Sequence, residues 1–263
     1  MTGGATESNG MLAAHGITDT GRVRKSNEDA LYWSTELGLF IVADGMGGHN
    51  AGEVASQLTV DTIRDYIVRG ESDPDTTMPF GIDPALSVEA NRVATAVRLA
   101  NTHVFSTSEA NPSYSGMGTT VCVVLVRGDR MTFAGVGDSR IYSWLNGALT
   151  QLTLDDSWVE RIRAEHPDIT EEALASNPLR HVLTNVIGAK PDTEVRVEER
   201  TLVDGEVLLM CSDGLYGPLD TAALTALMNK TSPLETKAQE MLLAALDGGS
   251  RDNATVLLVE YHA

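Results

Sequence analysis

The segment FIVADGMGGHNAGEVAS, residues 40–56, leaves the chain few ways to fold. The apolar residues Leu39 to Ala43 run straight into Asp44, and four glycines and His49 follow as a helical pattern begins. A run rich in Val, Ile and Leu that ends in Asp-Gly reads as a strand. The glycines after it free the backbone to bring a carbonyl or amide close to whatever the carboxylate holds. A glycine-rich turn between strand and helix can also cradle phosphate on bare amides, but neither GxxxxGK[ST] nor GxGxxG is present.

Further strand-like runs are Thr120 to Val126, Arg130 to Val136, Ile141 to Trp144, Val207 to Cys211 and Ala254 to Glu260. Gly128-Asp129 between two of them predicts a hairpin. Helical spacing is clearest over 51–67 and 85–105, where apolar residues recur three and four apart. Shorter helices are predicted at about 157–165 and 171–175, the second capped by Thr170, and a last one at 235–246 stops before Gly248-Gly249. Strands, a helix pair, more strands, then a helix before a final strand is an α+β order with mostly antiparallel pairing.

A length of 263 residues with 42% hydrophobic and 21% charged residues suits one soluble domain with a single large core. Residues 1–12, small and polar at the start, read as a flexible tail before a domain over 13–263. Against 37 acidic residues there are only 19 Lys and Arg, a net charge of −18, and no basic cluster interrupts it. Binding to nucleic acid or to an anionic membrane surface is therefore not expected. No apolar run approaches the ~18 residues needed to span a bilayer. Cys122 and Cys211 each sit among apolar residues and read as buried free thiols, which suits a reducing cytoplasm.

Asp44 is not alone in its setting. Asp138 follows MTFAGVG, Asp213 follows EVLLMCS and precedes Gly214, and Asp252 follows GGSR and precedes Asn253. Any one of them reads most simply as a turn residue or a helix cap. Four carboxylates at the ends of buried strands are costly unless a cation meets them, and this chain is short of Lys and Arg. Oxygen donors without a Cys cluster or an HxxxH pair favour Mg²⁺ or Mn²⁺ over zinc. Two such ions ~3.5–4 Å apart would clamp an in-line displacement at phosphorus.

The segments RKSNEDA (24–30), VADGMGGH (42–49), GMGTT (116–120), GVGDSRIY (135–142), LTNVIG (183–188), MCSDGLYG (210–217) and SRDNATVLLV (250–259) together carry a family likeness. In order and approximate spacing they resemble the metal-dependent Ser/Thr protein phosphatases of the PPM, or type 2C, family, in the compact bacterial form. The resemblance covers about Thr18 to Glu260 and implies a four-layer α-β-β-α sandwich, two central antiparallel sheets flanked by helices. It implies that Asp44 bridges two metal ions, that the Gly45 carbonyl binds one, and that Asp213 and Asp252 complete the second site. It matches Asp138 to the residue that, with Asp213, holds a third, weaker ion, and Glu28 and Asp29 to the acidic pair that orders water around the metals. Arg24 takes the place of the arginine that grips the substrate phosphate, and Asn253 that of a supporting residue. His49 is a candidate acid for the leaving alkoxide and equally a cap or surface residue, because relatives that use a histidine carry it where Met46 stands. Ser139 and Arg140 either brace their turn or touch substrate. Residues 155–182 resemble the flap that influences substrate choice and third-metal binding, with Asp156 and Asn177 at places where relatives often have histidine.

The reaction so implied is hydrolysis of phosphoserine and phosphothreonine on proteins by water activated between two Mn²⁺ or Mg²⁺ ions, in a cytoplasmic monomer that opposes a Ser/Thr kinase. Neither cysteine lies in a CxxxxxR phosphate loop, so a thiol nucleophile is not expected. Two alternatives stand beside it: a pseudophosphatase that binds phosphoproteins without turnover, and a regulatory phosphatase acting on one anti-sigma antagonist.

Overall fold

In the computed structural model, residues 10–48, 51–73, 76–166, 168–175, 177–180 and 182–263 are described. The strands among them are β1 (Met11–Asp19), β2 (Asp29–Ser34), β3 (Leu39–Met46), β4 (Gly118–Thr119), β5 (Val121–Arg127), β6 (Arg130–Val136), β7 (Arg140–Leu145), β8 (Ala148–Gln151), β9 (Arg196–Thr201), β10 (Val207–Cys211) and β11 (Ala254–His262). The helices are α1 (Ala51–Ser72), α2 (Val88–Ala110), α3 (Trp158–Glu165), α4 (Glu171–Ala175), α5 (Asp213–Tyr216), α6 (Thr221–Met228) and α7 (Leu234–Asp247).

Two sheets result, one in the order β1-β11-β10-β7-β8, the other β2-β3-β5-β6-β9 with β4 beside the end of β3. Every pairing is antiparallel. The central strands are buried on both faces, which is why they read as unbroken apolar runs. In β3, Phe40 and Val42 join Val124, Phe133, Leu208, Met210 and Leu257 in the layer between the sheets. Their alternates Leu39, Ile41 and Ala43 meet Ile63 and Ile67 of α1 and Val93 and Val97 of α2 on the outer face. On the opposite side Leu209, Val256 and Leu258 pack under Leu224 of α6 and Met241 and Ala245 of α7. The four-layer α-β-β-α sandwich is the architecture the sequence implied.

The expected tail, residues 1–12, includes two residues that are strand. Met11 and Leu12 belong to β1, opposite His262 and Tyr261 of β11, and residues 1–9 lie outside the described part. The Gly128-Asp129 hairpin joins β5 to β6, with Gly128 at φ 60, a value that favours glycine. Thr170 caps α4 as expected, its Oγ1 accepting from the Ala173 N–H at 3.3 Å. No described helix is long and apolar enough to cross a membrane.

Candidate metal centre

The strand ends converge. Asp44 lies near the end of β3, opposite Asp29 at the start of β2. Its backbone is pinned on the other side: Thr120 Oγ1 accepts from the Asp44 N–H at 3.1 Å, and the Asp44 carbonyl accepts from the Thr120 N–H and from Thr119 Oγ1, both at 2.8 Å. Gly45 follows where no side chain fits, because a Cβ there would stand 2.1 Å from the Gly52 carbonyl oxygen and 2.5 Å from that of Glu28. Asp213 opens α5 directly after β10, and Asp252 sits two residues before β11. Asp138 lies in the tight loop between β6 and β7.

Arg24, Glu28, Asp44, Gly45, Asp138, Asp213 and Asp252 line one cavity of 370 Å³, with Met46, Thr120, Leu183 and Val186 among its other walls. A larger hollow of 730 Å³ beside Glu53 and Tyr114 collects no comparable set of converging groups. Arg24 reaches over the mouth, its Nη2 2.7 Å from Asp252 Oδ2 and its Nη1 3.8 Å from Glu28 Oε2. The hydrogen bond to Asp252 is the main reason the guanidinium is held more basic than usual. Asp29 sits behind the lining, and its Oδ2 accepts from Ser212 Oγ at 2.8 Å and Thr255 Oγ1 at 2.6 Å.

Asn253 ties the N-terminal segment to this centre. Its Oδ1 accepts from the Glu28 N–H at 2.8 Å, and its Nδ2 donates to the carbonyls of Thr20 and Ser26, each at 2.9 Å. The segment carrying Arg24 and Glu28 is thereby fixed against the one carrying Asp252. His49 lies outside the described residues.

Electrostatics tests whether these residues suit a cation. Burial, then crowding by Asp29, Asp213, Asp138 and Asp252, pushes the Asp44 carboxyl well above its usual range. Burial first and neighbouring carboxylates second raise Asp29, Asp138 and Asp213 to about 6. Glu28 is raised too, chiefly by burial. Glu28 Oε1, Asp29 Oδ1 and Asp213 Oδ1 are buried without a hydrogen-bond partner among the described residues. Buried, mutually repelling oxygens with unfilled acceptor positions are what a hard divalent cation satisfies. No three His, Cys, Asp or Glu side chains among the described residues close on a single point. The set lines a shared cavity instead. The residues fit Mn²⁺ or Mg²⁺.

Both cysteines are buried, and burial pushes the Cys122 thiol up to about 12 and Cys211 well above its usual range. Neither is available as a thiolate nucleophile.

Several partners escaped the sequence. Thr119 and Thr120 come from the GMGTT segment, yet nothing in that segment alone says that they hold Asp44. Ser139 and Arg140 make bracing contacts: Ser139 Oγ lies 2.6 Å from Thr120 Oγ1, and Arg140 grips Asp155. Asp156, at the root of the segment read as a flap, clasps the loop before Asp138. Its N–H donates to the Gly137 carbonyl at 2.8 Å and its Oδ2 accepts from the Gly137 N–H at 3.2 Å. Asn185 Nδ2 donates to the same Oδ2 at 2.9 Å.

Residues 21–247 match the family model described as Protein phosphatase 2C. The Serine/threonine protein phosphatase PstP of Mycobacterium tuberculosis is 35% identical over 244 residues, 92% of this chain but 44% of that protein, so the chain spans less than half of that relative. The Serine/threonine phosphatase stp of Listeria innocua is 32% identical over 246 residues, 92% of this chain and 93% of that one. A crystal structure of the catalytic domain of PstP in complex with two manganese ions superposes with a TM-score of 0.80 at 30% identity, covering 97% of this chain and all of that one.

Proposed function

The chain belongs to the protein phosphatase 2C family, and from that premise we propose that it hydrolyses phosphoserine and phosphothreonine on proteins with the help of divalent metal ions. One observation carries the reading: aspartates from the ends of separate strands, with Arg24 beside them, line a single cavity in which their charge is unbalanced. Asp44, the Gly45 carbonyl, Asp213 and Asp252 would hold two Mn²⁺ or Mg²⁺ ions, and Asp138 with Asp213 a third, weaker one. When bound, the ions supply Lewis acidity and lower the pKa of water for attack on phosphorus.

The chain's own residues bind and orient around that chemistry. Arg24 presents a planar fork at the mouth of the cavity, suited to two phosphate oxygens. Its ion pair with Asp252 holds it in place before substrate arrives. Glu28 in the cavity wall and Asp29 behind it would order water around the ions. Met46 lines the cavity but cannot transfer a proton. His49 is therefore our candidate for protonating the departing alkoxide, tested by His49→Ala and the pH profile of turnover.

A monomer is proposed as the active unit, because Arg24, Asp44, Asp138, Asp213 and Asp252 of one chain already make up the proposed set. The two buried free thiols favour a reducing, cytoplasmic setting. Phosphoserine and phosphothreonine arise by kinase action, so a Ser/Thr kinase is the proposed counterpart. A pseudophosphatase is disfavoured because no carboxylate of the set is missing.

The test is hydrolysis of p-nitrophenyl phosphate and a phosphothreonine peptide by metal-stripped protein, titrated with Mn²⁺ and Mg²⁺, beside Asp44→Asn and Asp213→Asn. Turnover should appear with metal and fall by about a thousandfold or more in both variants, since each removes charge from the centre. Folded wild type that turns over neither substrate with either metal would sink the enzyme reading.

A further inference from the structure

Asp138 stands on the loop between β6 and β7 and Asp213 opens helix α5, and both belong to the proposed weaker ion site. A strut joins the loop to the helix from outside the cavity. Tyr216 lies three residues after Asp213, on the same short helix α5, and its hydroxyl donates to the Asp138 carbonyl at 2.9 Å. The Arg140 guanidinium lies over the Tyr216 ring, 3.7 Å from its centroid. Arg140 is itself held in a fork: Nε reaches the Asp155 oxygens at 3.0 and 3.2 Å, Nη2 reaches Oδ2 at 2.7 Å, and Nη1 donates to the Tyr142 hydroxyl at 2.9 Å. None of Arg140, Asp155 and Tyr216 lines the cavity.

We propose that Arg140, Tyr216 and Asp155 form a positioning cluster that sets Asp138 against Asp213 and so tunes the affinity of the weaker divalent-ion site. The proposal rests on the metal-site reading above. The cluster touches neither ion nor substrate and acts through the backbone of Asp138. The β7–β10 ladder, in which Arg140 pairs with Cys211 two residues before Asp213, fixes the strands but not the loop's carboxylate, and the other side-chain links to the 137–140 loop lead elsewhere. Gly137 is clasped by Asp156, and Ser139 bonds Thr120, which leads back to Asp44. Tyr216 makes the side-chain link to the element that carries Asp213, and Arg140 fixes the angle of its ring through a flat stack and a two-pronged ion pair. An ion shared by two carboxylates depends on their separation to within a few tenths of an ångström. Partners behind metal ligands are worth about 10–100-fold in metal affinity for this reason.

The test is Mn²⁺ binding by calorimetry to the metal-stripped full chain, without substrate, with a thermal midpoint for every variant. Wild type should show tight binding followed by a weaker event, and Asp138→Asn should lose the weaker event. Tyr216→Phe removes one hydroxyl and keeps the stacked ring, while Arg140→Lys keeps the charge and loses the fork. Both should keep the tight phase and weaken the later one about tenfold. If both bind the weaker ion as wild type does while Asp138→Asn loses it, the cluster has no positioning role and the metal-site reading stands. Tight and weak phases falling together with the thermal midpoint would show a general structural role and also overturn the proposal. Wild type that binds no Mn²⁺ would overturn both the cluster and the reading beneath it.

Discussion

Asn253 offers no charge to the centre, yet it holds three backbone groups of the segment that delivers Arg24 and Glu28. Asn253→Ala would leave the Glu28 N–H and two carbonyls to find other partners, at about 1–3 kcal/mol for each buried group that stays unpaired. The thermal midpoint should drop by roughly 2–4 °C per kcal/mol lost. Tight Mn²⁺ binding should weaken as Glu28 loosens, and a variant that melts and binds like wild type would contradict this anchoring role. Arg24 is expected to act on substrate rather than on stability, since about half of its side chain is exposed. Arg24→Lys should lower kcat/KM about 10–100-fold with the thermal midpoint unchanged, because an ammonium lacks the planar fork. At this scale the acidic residues were legible because a carboxylate at the exit of an apolar run is conspicuous. The groups that hold them were not. Thr120, Ser212 and Thr255 are ordinary residues at strand ends, and only tertiary folding brings their hydroxyls to Asp44 and Asp29.

Strands buried on both faces announced themselves as apolar runs, and β6 and β10 have the predicted limits. Edge strands did not. β1, β8 and β9 mix exposed and half-buried positions, so neither an unbroken apolar run nor a clean alternation marks them. The β7–β8 hairpin did carry a local signal that the reading passed over. Asn146-Gly147 takes φ 53 and 79, the pair of positive values that an Asn-Gly turn supplies. Helix α6 is nearly all apolar and short, so periodicity could not reveal it, although Asp220 caps it by accepting from the Ala223 N–H at 2.8 Å. Two glycines of these elements should respond differently to alanine. Gly147→Ala meets open space and pays only for its backbone angle, about 1–3 kcal/mol, with Mn²⁺ binding intact. At Gly214, in α5, a Cβ would lie 1.9 Å from the Asn253 carbonyl oxygen. Gly214→Ala must therefore shift α5 or the 252–253 segment and should abolish tight Mn²⁺ binding; calorimetry on the two variants side by side distinguishes them.

Over the whole molecule, the carboxylate centre sets a pH dependence opposite to that of an ordinary salt-bridged protein. Asp29, Asp138 and Asp213 are raised to about 6 in the folded chain, from 3.8 for an unperturbed carboxyl. Their contribution to stability is fully present below the unfolded value, where both states are protonated. It is lost as pH rises through about 6, because the folded chain must then ionise buried groups that the unfolded chain has already ionised in water. With chelator present, the thermal midpoint should fall between pH 5 and 7.5, and Mn²⁺ at pH 7.5 should raise it again. Scanning calorimetry that shows the metal-free midpoint climbing across this range would mean that these carboxyls are not crowded. The sandwich was legible in outline from the family motifs, but strand order was not, because β1 pairs along its full length with β11 at the far end of the described chain. That pairing has a temporal meaning as well. During translation β1 waits for β11, since Asp252 and the anchor for Glu28 are made after the other residues of the centre. A nascent chain thus carries Asp44 and Asp213 for a time before the centre that would hold the ions has closed around them.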